Sequence, residues 1–282
     1  MPTFAAADGT QLAYHVQGTG APLVCVPGGP MRASGYLGDL GGLADHRRLI
    51  MLDLRGTGRS AIPDDPASYR CDGQVDDVAD LQAHLGLDRI DVLAHSAGAN
   101  IALQYAARYP QHINKLALIT PSGRAVDLEP DNATRREVVN LRRDEPWFPA
   151  AVAAFDRINA GRGDQDDWAA IAPFVYGRWD SAAQAHAAAD EEQTNQAAAS
   201  GFVAEGAFDP AATRAALAMF SAPVLVLAGG VDLSRPPAVL AECAKLFPAG
   251  HLVIQSGAGH YPWLDDADQF VSTVNAFLDD PS

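Results

Sequence analysis

The stretch Ile90-Asp91-Val92-Leu93-Ala94-His95-Ser96-Ala97-Gly98-Ala99-Asn100 decides the fold of this chain. Its first four residues form a short, mostly apolar run that predicts a buried strand, and residues 99–108 carry apolar side chains at helical spacing. A strand that turns at once into a helix crowds the turn, so the positions two before and two after Ser96 must be small, as Ala94 and Gly98 are. Such a turn lifts the serine hydroxyl to the top of a sheet, at the positive end of a helix.

Strand-like and helix-like runs alternate along most of the chain. Asp8-Gly9 separates two short strand-like runs, which is typical of a β-hairpin. Asp72 is the expected N-cap of a helix over Gln74–Leu85. The remaining expected strands are Pro22–Val26, Arg48–Leu54, Leu116–Thr120, Pro223–Ala228 and His251–Gln255, and later helices are Pro237–Phe247 and Asp265–Leu278. Eight strands in this alternation predict an α/β fold, with a mostly parallel sheet covered by helices on both faces.

The interval from 122 to 212 breaks the alternation, because it contains no clear strand and is rich in Ala, Asp and Arg. We expect it to be an inserted helical cap, with 1–121 and 213–282 forming the core. A helix beginning at Asp209-Pro210 has Asp at the N-cap and Pro at the first helical position. The other expected cap helices are Asn132–Arg143, Pro149–Ala160 and one long Ala-rich helix over Ser181–Ser200.

Composition excludes several classes of protein. The 282 residues are 48% hydrophobic and carry a net charge of −15, which disfavours binding to nucleic acid or to an anionic membrane. No run approaches the length of a membrane span, and residues 1–4 show no secretory signal. We therefore expect a cytoplasmic protein, a monomer or homodimer, that acts on a small molecule. Cys25, Cys71 and Cys243 are too few and too far apart for a disulfide framework or a zinc site, and no metal or cofactor is expected.

The small-x-Ser-x-Gly turn resembles the nucleophile elbow G-x-S-x-G of the α/β-hydrolases, with Ala94 in place of the first glycine. The resemblance implies an eight-stranded, mostly parallel sheet flanked by helices, with an inserted helical cap. It also implies that Ser96 is a nucleophile, followed along the chain by an acid and then a histidine. Asp232 and His260 occur in that order, each a few residues after a predicted strand. They are therefore the candidate acid and base; Asp127 is the nearest acid after the preceding strand.

Five other histidines fit the role of base less well, because they lie in the hairpin, at helix ends, at the wrong edge of the sheet or in the cap: His15, His46, His84, His112 and His186. His95 adjoins the nucleophile, and neighbours on a tight turn are expected to diverge. The Gly257-Ala258-Gly259 run before His260, by contrast, suits a loop that brings an imidazole close to other backbone.

A tetrahedral oxyanion needs two N–H donors in place before the reaction. Ala97, directly after the nucleophile, is the first candidate. The second is expected in the loop Pro27-Gly28-Gly29-Pro30, where the prolines have no N–H and only the glycines can donate. We assign Gly29 as this donor.

Two further segments make the resemblance more specific. Pro27-Gly28-Gly29-Pro30 resembles the H-G-G-P loop of the proline iminopeptidases, with Pro27 replacing His, and residues 53–60 resemble that family's D-x-R-G-x-G-x-S segment. Trp179-Asp180 resembles a Trp-Glu pair in that family's cap, which implies that Asp180, or the 190–192 acids, could bind a substrate amine. The candidate substrate-binding residues are Gly28, Pro30, His95, Trp179 and Asp180.

The expected function is that of a serine hydrolase which cleaves a carboxylic ester or amide of a small molecule through an acyl-enzyme. The alternatives are an exo-aminopeptidase of the proline iminopeptidase type, a lactone or carbon–carbon hydrolase, and a non-catalytic ligand-binding protein on the same fold. An arginine cluster in the cap could face an acidic substrate, but interleaved acids favour a solvated helix face; it comprises Arg135, Arg136, Arg142 and Arg143.

Overall fold

The computed structural model describes residues 2–281 and contains one eight-stranded sheet with the strand order β1-β2-β4-β3-β5-β6-β7-β8. The pairs β1–β2 and β2–β4 are antiparallel, and all the other pairs are parallel. The predicted mostly parallel sheet and the hairpin at Asp8-Gly9 are therefore confirmed. The strands are β1 Thr3–Ala5, β2 Gln11–Gln17, β3 Pro22–Val26, β4 Arg48–Leu52, β5 Ile90–His95, β6 Ile113–Ile119, β7 Val224–Gly229 and β8 Gly250–Gln255.

Helices cover both faces of this sheet. They are α1 Cys71–His84, α2 Gly98–Arg108, α3 Asn132–Asn140, α4 Phe148–Asn159, α5 Gln165–Ala170, α6 Ser181–Ala188, α7 Asp190–Gln193, α8 Gln196–Phe202, α9 Pro210–Leu217, α10 Pro237–Ala244, α11 Pro262–Asp265 and α12 Ala267–Asp279.

Alternate side chains of each central strand enter two different apolar cores. In β5, Val92 and Ala94 pack into the core that contains α1, α2 and α10, while Leu93 packs into the core under α12. All three side chains are fully buried. Because both faces of a parallel sheet are covered, its strands are apolar on both sides, which explains the continuous apolar runs in the sequence.

The chain between β6 and β7 contains helices α3–α9 and no strand of the sheet. Part of it has a small apolar cluster of its own, in which Phe155 and Phe174 pack with Val139. Its last third behaves differently, because Ala198 and Phe202 of α8 pack into the main core. The boundaries of a separate cap at 122–212 stay a prediction.

The Ala-rich run Ser181–Ser200 is not one helix, as the sequence predicts, but the three short helices α6, α7 and α8. Thr194 is extended and forms an isolated bridge with Arg32, and Asn195 then caps α8 by accepting the N–H of Ala198 at 3.1 Å. Contacts with a distant part of the chain therefore outweigh the helix propensity of the alanines.

Two predicted helix starts also need correction, and one is confirmed. Asp72 lies in the first turn of α1 and pairs with Arg70, which occupies the N-cap position. The last helix begins at Ala267 because the Asp266 carboxylate accepts the Gln269 N–H at 3.0 Å. Asp209 caps α9, as predicted. No helix within residues 2–281 has the length and apolarity needed to cross a membrane.

Candidate active site

Ser96 follows the last residue of β5 and has a φ of 51°, a left-handed conformation that is costly for a serine. The turn is crowded on its C-terminal side, since a Cβ added to Gly98 would lie 2.3 Å from the Pro27 carbonyl oxygen. Glycine is therefore required at that position. On the other side the turn tolerates the Ala94 methyl group, which is fully buried in the main core.

The structure brings Ser96, His260 and Asp232 together at the carboxyl edge of the sheet. His260 Nε2 lies 2.8 Å from Ser96 Oγ, and His260 Nδ1 lies 2.7 Å from Asp232 Oδ2. The other carboxylate oxygen of Asp232 accepts the Ser234 N–H at 2.8 Å. Asp232 is completely buried, so this carboxylate is held in one orientation on the far side of the imidazole.

The loop that carries His260 is hydrogen-bonded to the chain between β6 and β7. The His260 N–H donates to the Val175 carbonyl at 2.7 Å. Asp265 accepts from the N–H groups of Gly259 at 2.8 Å and of Gly177 and Arg178 at 3.0 Å. Burial raises the pKa of Asp265, and these three donors act in the opposite direction. In the sequence Asp265 is visible only as an acid near the last helix, so its role in holding this loop was not predicted.

We expect Asp265→Asn to lower kcat about tenfold with little change in KM, and to lower the free energy of unfolding by about 2 kcal/mol. An asparagine has one acceptor oxygen, so its NH₂ group would face a backbone N–H that the carboxylate now satisfies. The measurements are steady-state kinetics well below the melting temperature and urea unfolding.

The matched control is Asp268→Asn, because Asp268 is exposed in the first turn of α12. If Asp265→Asn behaved like this control in both measurements, Asp265 would have no role in positioning His260.

His95 is buried and both of its ring nitrogens have protein partners. Its Nδ1 lies 2.6 Å from the Tyr36 hydroxyl, which itself accepts the Gly28 N–H at 2.7 Å. The hydroxyl proton therefore points at Nδ1, and His95 Nε2–H donates to the His260 carbonyl at 2.9 Å. Burial holds the pKa of His95 well below its usual range, so the ring is neutral. The predicted substrate-binding residue thus lines the cavity but also holds the backbone of His260.

The same network separates the two candidate donors in the glycine loop. Gly28 N–H is already bound to Tyr36, whereas the N–H groups of Gly29 and Ala97 have no acceptor among residues 2–281. Gly29 has a φ of 119°, a backbone conformation that residues other than glycine rarely adopt. Gly29 and Ala97 are therefore the candidate oxyanion donors, as the sequence suggests.

A cavity of about 610 Å³ opens above Ser96 and His260. Its far wall comes from the chain between β6 and β7 and includes the side chains of Phe155, Trp168 and Tyr176. Four predicted substrate-binding residues are not among the residues that line it: Gly28, Pro30, Trp179 and Asp180.

The local structure explains the position of the Trp179-Asp180 pair. Asp180 is exposed and caps α6, where it accepts the N–H groups of Ala182 and Ala183 at 3.0 Å. Trp179 packs on the ring of Tyr176, with 5.4 Å between the centroids. Asp180 therefore caps a helix, and Trp179 packs against Tyr176, a residue of the cavity wall.

The sequence favours a solvated helix face for the whole arginine cluster, but two of its four members do not lie on such a face. Arg135 lines the cavity. Arg142 is buried and donates to the carbonyls of Tyr176 at 2.7 Å and Gly177 at 3.0 Å. Side chains at helical spacing on a surface helix can face either solvent or a cavity, and the sequence pattern alone does not distinguish the two.

The segment Asp53–Ser60 has a structural role. The buried Asp53 carboxylate accepts the N–H and hydroxyl of Ser34 at 3.0 and 2.7 Å and the N–H of Arg59 at 3.0 Å. Arg55 is buried between Asp77 and Asp8. Within residues 2–281, no group of three or more His, Cys, Asp or Glu side chains is placed to hold a metal ion.

The chain belongs to the α/β-hydrolase family, since the family profile described as alpha/beta hydrolase fold matches residues 21–267. It is similar to a proline iminopeptidase from Heyndrickxia coagulans, with 23% identity over 94% of this chain and 93% of the relative. Two solved structures share the fold. One is a proline iminopeptidase from Mycobacterium smegmatis, with 24% identity, TM-score 0.76, and 98% and 97% of the two chains covered. The other is an esterase from a Rhodococcus species, with 24% identity, TM-score 0.74, and 100% and 99% covered.

Proposed function

We propose that this protein is a serine hydrolase that cleaves a carboxylic ester or amide bond of a small molecule through an acyl-enzyme. The observation that carries the proposal is the continuous hydrogen-bond chain Asp232–His260–Ser96, which ends at a serine hydroxyl facing the cavity. This is the arrangement in which a weak nucleophile is activated by a base that is itself oriented by an acid.

In the first half of the reaction, Ser96 Oγ attacks the substrate carbonyl and His260 Nε2 takes the hydroxyl proton. Asp232 keeps the Nδ1–H tautomer in place and stabilises the imidazolium without taking a proton. The N–H groups of Gly29 and Ala97 donate to the oxyanion. His260 then protonates the leaving group, which departs and leaves Ser96 acylated.

In the second half, water takes the place of the leaving group. His260 removes a proton from the water as it attacks the acyl carbonyl, and returns that proton to Ser96 Oγ as the acid product leaves. Each step uses the same two oxyanion donors, so one site serves both halves of the reaction.

The charges of the cavity favour esters over substrates with a free amine. An exo-aminopeptidase must pair the substrate ammonium with a carboxylate, since burying an unpaired charge is costly. Among residues 2–281, the two acids that line the cavity are already paired, Glu129 with Arg235 at 2.8 Å and Asp190 with Arg32 at 3.0 Å. Asp180 caps a helix and does not line the cavity.

The substrate class is tested with p-nitrophenyl butyrate, proline p-nitroanilide and N-acetylproline p-nitroanilide. We expect kcat/KM for the ester to exceed that for proline p-nitroanilide by about 100-fold or more, because the ammonium meets no unpaired carboxylate among the described residues that line the cavity. Acetylation should change the anilide rate little.

Two other results would contradict this proposal in different ways. Preference for proline p-nitroanilide that acetylation abolishes would establish the aminopeptidase alternative. If no ester, lactone or anilide were turned over and a fluorophosphonate did not react, the chain would be a ligand-binding protein on this fold.

A further inference from the structure

One wall of the cavity carries an excess of positive charge, although the whole chain has a net charge of −15. Arg124, Arg135 and Arg235 all line this wall, which we call the arginine wall. Glu129 is the acidic residue that lines this wall. The facing charges of Arg32 and Asp190 pair with each other, so the excess is confined to the arginine wall.

The pairing within the arginine wall leaves Arg135 without a partner. Glu129 Oε2 lies 2.8 Å from Arg235, and its other oxygen lies 3.9 Å from Arg124. Arg135 has no carboxylate at ion-pair distance among residues 2–281. The nearby Asp131 carboxylate instead caps α3 by accepting the Thr134 N–H at 2.7 Å.

Arg235 is held close to the nucleophile and keeps a donor free. Its side chain is only 15% exposed, and one guanidinium nitrogen donates to Ser122 Oγ at 3.0 Å. The Ser122 N–H in turn donates to the Ser96 carbonyl at 2.9 Å, which ties Arg235 to the turn of the nucleophile. The Nε of Arg235 is buried and has no hydrogen-bond partner among the described residues. A buried donor of this kind is costly unless something binds it.

Arg135 and Arg235 also repel each other. Burial lowers the pKa of Arg135, and the neighbouring charge of Arg235 lowers it further. Two guanidinium groups at the edge of a partly apolar cavity are stabilised by a shared anion, which a planar carboxylate can supply through two oxygens. Apolar side chains also line this cavity, among them Ile158, Trp168 and Ile171, and they suit the hydrocarbon body of a substrate that carries such an anion.

We propose that the arginine wall binds an anionic substituent of the substrate, such as a carboxylate, so that the preferred substrates are esters or lactones that also carry a negative charge. Arg135 and Arg235 bind the anion, while Ser96 attacks the carbonyl elsewhere on the same molecule. This inference rests on the proposed serine hydrolase function and names the substrate class of that site.

The test compares esters that differ in one charge. 4-Nitrophenyl hydrogen adipate and its methyl ester differ in a carboxylate on the acyl side. 4-Nitro-3-carboxyphenyl butyrate and 4-nitrophenyl butyrate differ in a carboxylate on the leaving group. We expect kcat/KM for at least one anionic ester to exceed that for its neutral partner by about 10- to 100-fold, the usual effect of a charge-assisted hydrogen bond. Added salt should reduce this ratio.

Arg135→Gln should bring the ratio of anionic to neutral kcat/KM close to one, and Arg235→Gln is the second variant. The matched control is Arg143→Gln, which removes the same charge from an exposed position, and we expect it to keep the ratio. A wild-type preference for the neutral esters, or a ratio that Arg135→Gln leaves unchanged, would overturn the proposal.

Failure of the underlying function gives a different result. In that case the neutral esters are not turned over either, or their turnover survives Ser96→Ala.

Discussion

Ser96→Ala is expected to lower kcat for 4-nitrophenyl butyrate by about 10⁶-fold. Alanine keeps the small side chain of the turn but has no oxygen to attack the carbonyl. His260 then has no proton to take, so the three residues lose their effect together. The remaining rate would come from the oxyanion donors and from binding. The measurement is steady-state release of 4-nitrophenolate with the uncatalysed rate subtracted.

A fluorophosphonate provides an independent readout, because it reacts with activated serines. We expect mass spectrometry to find one label, on Ser96, and none in Ser96→Ala. Ser200→Ala is the matched control, since Ser200 is exposed on α8 and bonds only to the Gln196 carbonyl of its own helix. Labelling of another serine, or a Ser96→Ala variant with most of its activity, would contradict the assignment.

Asp232→Asn is expected to lower kcat by about 10⁴-fold while the protein stays folded. The Ser234 N–H fixes which end of the side chain is the acceptor, because it donates to Asp232 Oδ1 at 2.8 Å. The asparagine oxygen would keep that bond, and its NH₂ group would then face His260 Nδ1. Nδ1 would have to become an acceptor, so Nε2 would carry the proton and could not take one from Ser96.

The same substitution at the nearest alternative acid is the control for this prediction. Asp127 is exposed at the end of a short turn, and Asp127→Asn should leave kcat near the wild-type value. Melting curves of both variants should stay close to that of the wild type. A normal rate for Asp232→Asn, with a normal melting curve, would mean that another group orients His260.

Local signals are sufficient to predict the sheet and the turn at Ser96, and the residue order that the family resemblance implies adds Asp232 and His260 of the hydrogen-bond chain. Apolar runs identify the strands, and the crowding around Ser96 leaves room only for small neighbours. Asp232 and His260 each follow a strand end, and the ends of neighbouring parallel strands meet at one edge of the sheet. Knowledge of the strand order is therefore unnecessary for placing them together.

The features that could not be predicted from the sequence depend on contacts between distant segments. The helix predicted over Ser181–Ser200 is interrupted because Thr194 bridges to Arg32. Arg135 looks like part of a solvated helix face until the cavity on its other side is known. Asp265 accepts two N–H groups from Gly177 and Arg178, almost ninety residues earlier, and no local pattern indicates such a partner.

Substrate preference in a fold of this kind can be changed by exchanging segments between relatives, and the backbone around 175–178 limits where such chimeras can be joined. The carbonyl of Val175 and the N–H groups of Gly177 and Arg178 bind the loop of His260 and its support, Asp265. A graft that replaced the whole interval 122–212 would also replace these groups, and so would alter the position of His260 together with the walls of the cavity. A chimera whose junctions retain residues 175–178 of the recipient would change the walls of the cavity and keep the hydrogen bonds that position His260.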